Sequence, residues 1–422
     1  MNLLGLALPL ANKSLLRSKR LAVGRILRVL GRSALGVLQL TVGVLLVGWR
    51  RGAGRPQVAV QAYAVHLAYF YQTLIGQLLL DNRVEVYFLT WPHPHFPLSE
   101  QSRMRALAIT EFGLDPSHVL PLWRAMWRKF DLVLTCDSLS LPLLRPTRTC
   151  RMFHGFLNPE RALRRRFFRP TVYDYDVILA SGPIDRNIIL AHQDGRPKPS
   201  RVYSAGCPQL DRYFHQDEAT REYLEKFRLQ ESEPVVLYAP HWFEFRPPGD
   251  AGLQLFLEIV EELRKLPAQI IVKPHRMSLI LGKDSGQRWD RLLRQIECHQ
   301  VRVDRCVEDV DALRAADVLI TSNNSARAYI FMSLNKPVVF FPAARTPAGS
   351  PAEAVSGLLQ QGAAVAESLS ELGVHVREAL QNPRGKAEHR RRVSEGFFAN
   401  PGQSTQEVAR ILYQEILGLD AP

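Results

Sequence analysis

From residue 58 onward, short apolar runs alternate with longer stretches in which apolar positions recur at helical spacing. The pattern is sharpest over 317–341, DVLITSNNSARAYIFMSLNKPVVFF. DVLIT is rich in β-branched residues, as expected of a strand buried on both faces of a parallel sheet. Ser322, Asn323, Asn324 and Ser325 are turn and N-cap residues whose side-chain oxygens suit the free N–H groups opening a helix. That helix is predicted to run to 333–334, with Asn335 suited to its C-terminal end and a strand following over 338–341.

The same alternation predicts strands over 58–66, 84–89, 131–136 and 176–180, with a helix over 67–80 and a Pro-rich loop over 91–97. A helix from Glu218 follows a turn at Cys207-Pro208. Pro234 opens a second series, with strands over 235–239, 269–272 and 301–303 and helices over 251–265 and 287–298. Alternating strands and helices predict parallel sheets with right-handed crossovers. The expected fold class is therefore α/β, with two doubly wound, Rossmann-like domains, 58–230 and 231–390, facing across a cleft. Residues 391–422 are expected to close the fold with a helix over about 405–417, after Pro401-Gly402.

Residues 1–57 break the pattern. They hold ten Lys or Arg and no Asp or Glu, interleaved with apolar residues, and 34–49 is uncharged. A spanning helix needs about 20 apolar residues, and this run is shorter. A basic, apolar helical extension lying on an anionic membrane surface is the favoured expectation; packing on the fold or on another subunit is the alternative. These ten cations account for most of the net charge of +13, leaving residues 58–422 at +3. A nucleic-acid partner is therefore not expected. The basic, aromatic run RALRRRFFR (161–169) is read as a face for an anionic acceptor or lipid head groups. Five scattered cysteines with no C-x-x-C pair point to buried free thiols in a reducing compartment, and so to the cytoplasm.

Three histidines stand where strands should end: His154, followed by Gly155; His241, after Ala239-Pro240; and His275, between Pro274 and Arg276. Ligands of open α/β sheets collect beyond the carboxyl ends of strands, and histidine is matched to proton transfer near neutral pH. Lys273 and Arg276 add positive charge that suits a phosphate; solvated surface cations are the alternative. His93 and His95 lack a third ligand at metal-site spacing, so no metal site is expected. No G-x-S-x-G, P-loop or G-x-G-x-x-G motif is present.

Taken together, these segments resemble the CDP-glycerol glycerophosphotransferase family, the polymerases and primases of teichoic-acid-like polymers, which have the GT-B fold. Phe153-His154-Gly155-Phe156 stands at the family's Trp-His-Gly-Thr, and Gly206-Cys207-Pro208-Gln209-Leu210-Asp211 at its Gly-x-Pro-Arg-x-Asp. The segments 237–242, 273–275, 317–325 and 401–405 match further motifs in the same order. Gln209 replaces an arginine, Ser322-Asn323-Asn324 an acidic, aromatic and serine trio, and Tyr329 a usual acid.

The resemblance implies that His154 and His275 are catalytic, and that Asn324 and Ser325 help hold the diphosphate; Lys273, Arg276 and Ser322 are added as its binding groups, with Gly155, Asp211 and His241 in support. It makes 58–230 the acceptor domain and 231–390 the nucleotide-donor domain. The implied reaction moves a polyol phosphate from a CDP-activated donor to a hydroxyl of a lipid-linked or growing polymer, with no tightly bound cofactor and no requirement for a divalent metal. A nucleotide-sugar glycosyltransferase of capsule or lipopolysaccharide assembly, or a catalytically inactive scaffold of the same family, stands as the alternative.

Overall fold

A computed structural model describes residues 54–90, 99–125, 127–136, 147–152, 175–191, 201–214, 217–240, 251–280, 283–322, 325–341 and 351–420. Of the expected extension, 1–57, residues 1–53 lie outside them, and Gln57 already opens the first strand. Both sheets belong to one compact unit (Arg55–Leu122, Phe130–Ser140, Arg148–Pro422), and the segment Trp123–Lys129 is not part of it.

The first sheet comprises β1 (Gln57–Ala62), β2 (Glu85–Thr90), β3 (Val119–Pro121), β4 (Leu132–Thr135), β5 (Arg148–Met152), β6 (Val177–Ala180) and β7 (Arg201–Ser204), in the order β3-β2-β1-β4-β5-β6-β7. The second comprises β8 (Val235–Tyr238), β9 (Gln269–Val272), β10 (Val301–Val303), β11 (Val318–Thr321), β12 (Val338–Phe340) and β13 (Ala363–Val365), in the order β10-β9-β8-β11-β12-β13. Every pairing is parallel. This is the doubly wound α/β architecture expected from the chain.

Period-two side-chain alternation explains how the second sheet is buried on both faces. Val235, Leu237, Ile271, Leu319, Val338 and Phe340 join one core, whereas Val236, Tyr238, Ile270, Val272, Ile320 and Val339 join another. The first of these cores also takes Leu210, Tyr213, Tyr223 and Leu229. The helices Pro208–Phe214 and Asp217–Lys226, which precede the expected join near 230, therefore contribute to the second sheet's packing.

Four strands escaped the apolar pattern. β7 is an edge strand reading RVYS, with none of its residues buried. β3 and β13 are three-residue strands at sheet edges. β5 is interior but reads RTCRM, with only Cys150 and Met152 buried. The closing helix begins at Ser404 and continues past Arg410 as a π-helical stretch, Ile411–Leu417. Its Val408, Leu412, Tyr413 and Ile416 enter the core of the first sheet, so the chain's last element returns to its first half. No disulfide joins the five cysteines. Cys136, Cys150 and Cys207 are buried as expected, but Cys298 and Cys306 are exposed.

Candidate active site

In the second sheet the chain winds outward from β8, through β9 to β10 on one side and from β11 to β13 on the other. The strand order therefore reverses between β8 and β11, and open α/β sheets bind ligands beyond the strand ends at such a point. Three carboxyl ends lie side by side there. β9 leads into Lys273-Pro274-His275-Arg276, β11 into Ser322, and β8 between them into Ala239. Lys273 N–H donates to the Tyr238 carbonyl at 2.9 Å, Ala239 N–H to that of Ile320 at 2.9 Å, and Thr321 Oγ1 to that of Ala239 at 2.7 Å. These bonds hold the three ends in register.

Lys273 is 1% exposed. Its ammonium contacts Asp304 Oδ2 at 2.8 Å and donates to the Cys306 carbonyl at 2.9 Å. Asp304 is likewise buried and accepts from Tyr223 Oη at 2.9 Å and from the Cys306 N–H at 2.7 Å. A buried charge persists when it is paired and hydrogen-bonded, and both conditions are met here. The Lys273 charge is thus already matched within the protein, and the structure places this side chain in the scaffold of the turn that carries His275 and Arg276.

Arg327 joins the two strand ends. It grips Asp309 through Nε and Nη2 at 2.8 and 2.9 Å, and its Nη1 donates to the Lys273 carbonyl at 3.3 Å. Burial acting alone would raise the Asp309 carboxyl; Arg327, then Lys273 and His275 among others, outweigh it and hold it at about 2. His275 is half-buried beside this cluster.

Arg276 opens the short helix Arg276–Ile280. Its Nη2 contacts both carboxylate oxygens of Glu100 at 2.7 Å. Glu100 belongs to the helix Ser99–Thr110 of the first half, is 2% exposed, and also accepts the Val65 N–H at 2.9 Å. Arg276 Nε is buried and donates to none of the described residues. Ser322 and Ser325 are buried at the end of β11, and Ser325 N–H closes the turn onto the Ser322 carbonyl at 3.1 Å. His154, Gly155, His241 and Asn324 lie outside the described residues.

Asp211 is a capping residue. Its two oxygens accept the backbone N–H groups of Ser404 and Thr405 at 3.0 and 2.6 Å, so it caps the returning helix. Gly206 shares that junction. Its φ is +90°, and a Cβ there would lie 2.3 Å from both the Ala399 carbonyl oxygen and Ser404 Oγ. Two motif-like segments far apart in sequence, 206–211 and 401–405, thus fit against each other. Tyr329 packs edge-on against Phe397 with ring centroids 4.6 Å apart, and burial, with Asp185 adding to it, pushes its hydroxyl well above the ordinary tyrosine range.

Sequence reasoning missed Glu100, Asp304, Asp309 and Arg327. A position just past a strand was the only available signal for Asp304; the other three carry none, because their partners are distant in sequence. Among the described residues no cluster of three or more His, Cys, Asp or Glu is arranged to hold a metal. No helix of the described residues is long and apolar enough to cross a membrane.

Residues 157–413, more than half of the chain, match the family described as CDP-Glycerol:Poly(glycerophosphate) glycerophosphotransferase. The chain belongs to this family. As a CDP-glycerol glycerophosphotransferase relative it is a transferase of the glycerophosphotransferase type. No curated protein matches it in sequence. Among solved structures, the wall teichoic acid polymerase TagF is similar at 13% identity, with a TM-score of 0.54, covering 86% of this chain and 90% of that one. A UDP-N-acetylglucosamine 2-epimerase of Listeria monocytogenes gives 11% identity and a TM-score of 0.58, covering 87% and 99%. The UDP-GlcNAc 2-epimerase of Neisseria meningitidis, bound to UDP-GlcNAc, gives 14% and 0.54, covering 84% and 99%. At these identities the likeness is one of fold, the two-domain GT-B arrangement.

Proposed function

We propose that the protein transfers a polyol phosphate from a CDP-activated donor such as CDP-glycerol to a hydroxyl of a lipid-linked or growing cell-surface polymer. The family match supports this chemistry, as does the fold shared with TagF, crystals of which have been soaked with CDPG. The observation that carries the site assignment is the junction at the β8–β11 reversal, where Arg327 ties the helix after Ser325 to the carbonyl of Lys273.

In this reading the acceptor oxygen attacks the phosphorus of the polyol phosphate, and the bond from that phosphorus to the oxygen of cytidine monophosphate breaks. His154 takes the acceptor proton. His275, Arg276 and the turn 322–325, including Ser322, Asn324 and Ser325, balance the diphosphate charge in a preorganised way. Arg276 Nε, a buried donor with no described protein partner, suits a phosphate oxygen. Lys273 acts one step back, holding the turn through Asp304. Gly155 and His241 shape the neighbouring strand ends. Protein groups carry the charge, so chelation of divalent ions leaves turnover in place.

Residues 1–57 hold the enzyme peripherally on the inner, anionic face of the cell membrane. Deleting them weakens flotation with anionic vesicles; equal flotation refutes the anchor. The central test is a donor screen on purified protein, reading cytidine monophosphate release across CDP-glycerol, CDP-ribitol and UDP- and CMP-sugars. Release from a CDP-polyol, lost in His154→Ala and His275→Ala, is the expected result. Turnover of a nucleotide sugar instead makes the protein a glycosyltransferase, and no turnover with an intact cellular role for both variants makes it a scaffold.

A further inference from the structure

The segment Trp123–Lys129 presents two tryptophans, Trp123 at 62% and Trp127 at 60% exposure. Tryptophan is a highly buried residue type on average, and Trp289, the remaining described tryptophan, is 4% exposed. The two rings stand four positions apart, on the short helix Leu122–Ala125 and the turn after it, where Arg128 N–H donates to the Ala125 carbonyl at 3.1 Å. Arg124 and Lys129 are exposed beside them and Arg128 is half-buried. No acidic residue occurs from 116 to 130. Asp131, the nearest that follows, is engaged by the Gln57 N–H at 2.8 Å.

Exposed large apolar groups on a folded protein mark contact surfaces. Tryptophan with flanking Lys and Arg is the composition that settles at a membrane–water boundary, where the ring sits at headgroup level and the cations meet anionic lipid. Nucleic acid pairs cations with aromatic rings too, but it stacks bases on free ring faces. Here the Arg124 guanidinium lies over the Trp123 ring, 4.8 Å from its centroid, and occupies one face. Residues 58–422 also carry a net charge of only +3, which supplies little attraction for a polyanion beyond this patch.

We propose that Trp123 and Trp127, with Arg124, Arg128 and Lys129, form a contact with an anionic lipid surface in addition to the one proposed for residues 1–57. This inference rests on the reading that the enzyme works at a membrane.

The test is partition of the full chain onto phosphatidylglycerol-containing vesicles and onto phosphatidylcholine vesicles. Trp123→Ser with Trp127→Ser is expected to weaken binding to the anionic vesicles by roughly tenfold. Arg124→Glu with Lys129→Glu is expected to do so by at least about tenfold, leaving phosphatidylcholine binding unchanged. Brominated acyl chains quench wild-type tryptophan fluorescence, and Trp123→Phe with Trp127→Phe removes part of that quenching. An unfolding transition unmoved in both double variants shows that the loss is one of contact. If the wild-type chain binds and both double variants bind equally well, the patch has no lipid role and this inference alone falls. If the wild-type chain binds neither vesicle, the membrane reading falls with it. Loss of a wild-type dimer, or of single-stranded RNA binding, in the tryptophan variant with vesicle binding intact assigns the patch to that partner and overturns the lipid contact.

Discussion

The Asp211 carboxylate accepts the Thr405 backbone N–H at 2.6 Å across 194 residues of chain. A helix normally takes its N-cap from the residue just before it. Here the cap comes from the helix Pro208–Phe214, and the element it fastens carries six buried residues into the core of the first half. The bond is therefore a clasp between the two halves of the transferase.

Removing the clasp exposes its worth. Asp211→Ala leaves the Ser404 and Thr405 N–H groups without their acceptor and is expected to cost about 2 kcal/mol. Asp211→Asn keeps one acceptor oxygen and should cost about half as much. Urea unfolding measures both, and equal stability of all three proteins contradicts the capping role.

Gly206→Ala attacks the same junction sterically. The residue needs φ near +90° and has no room for a Cβ beside Ala399 and Ser404. A loss of at least about 1 kcal/mol is expected, whereas Gly357→Ala, inside the helix Pro351–Gly362 where a Cβ meets nothing, should gain about 0.5–1 kcal/mol. A gain at 206 like that at 357 refutes the packing.

Lys273→Met leaves the Asp304 carboxylate buried without its cation. Breaking a buried pair in this way costs about 3–5 kcal/mol. The double variant Lys273→Met with Asp304→Asn removes both charges and is expected to recover part of that loss. A direct phosphate-binding role for Lys273 predicts the reverse pattern, with stability unchanged and the Michaelis constant for the donor raised.

Arg276 contacts Glu100 in the other half, so Glu100→Gln tests site and stability together. The neutral amide weakens the pair but leaves no uncompensated carboxylate, whereas Arg276→Ala strands Glu100 at 2% exposure. The arginine variant should be the less stable of the two, by about 1–3 kcal/mol. Calorimetric melting of both variants decides this; the opposite order refutes the interpretation.

Acid stability reads the Asp309 cluster. The folded-state value of about 2 lies below that of a free aspartate, so the ionised carboxylate stabilises the fold above about pH 4. That contribution is lost as pH falls from about 4 through about 2, and it is worth about 2 kcal/mol. Asp309→Asn should flatten the stability curve over this window. An unchanged acid limb shows that Arg327 does not hold the charged form.

Much of this architecture was legible in the chain. The runs VILA, VVLY, QIIV and VLIT are strands with every residue buried, because a β-branched apolar tetrapeptide suits a sheet covered on both faces. Asn335 ends its helix at φ +57°, a conformation asparagine tolerates better than most residues. β5 was not legible, since its arginines and threonine read as a loop until neighbouring strands supply hydrogen bonds on both sides. Of the candidate site, the carboxyl-end positions of 273–276, Ser322 and Ser325 followed from the pattern, whereas their partners did not.

Local periodicity is encoded by neighbours in sequence, so the primary structure alone established where strands and helices alternate and which polar segments stand at strand ends. Which charge meets which was settled by folding. Lys273 finds Asp304 31 residues away, Arg276 finds Glu100 176 away, and Asp211 finds Ser404 193 away. Winding outward from β8 brings such residues together, and a buried charge then takes whichever partner the strand order sets beside it.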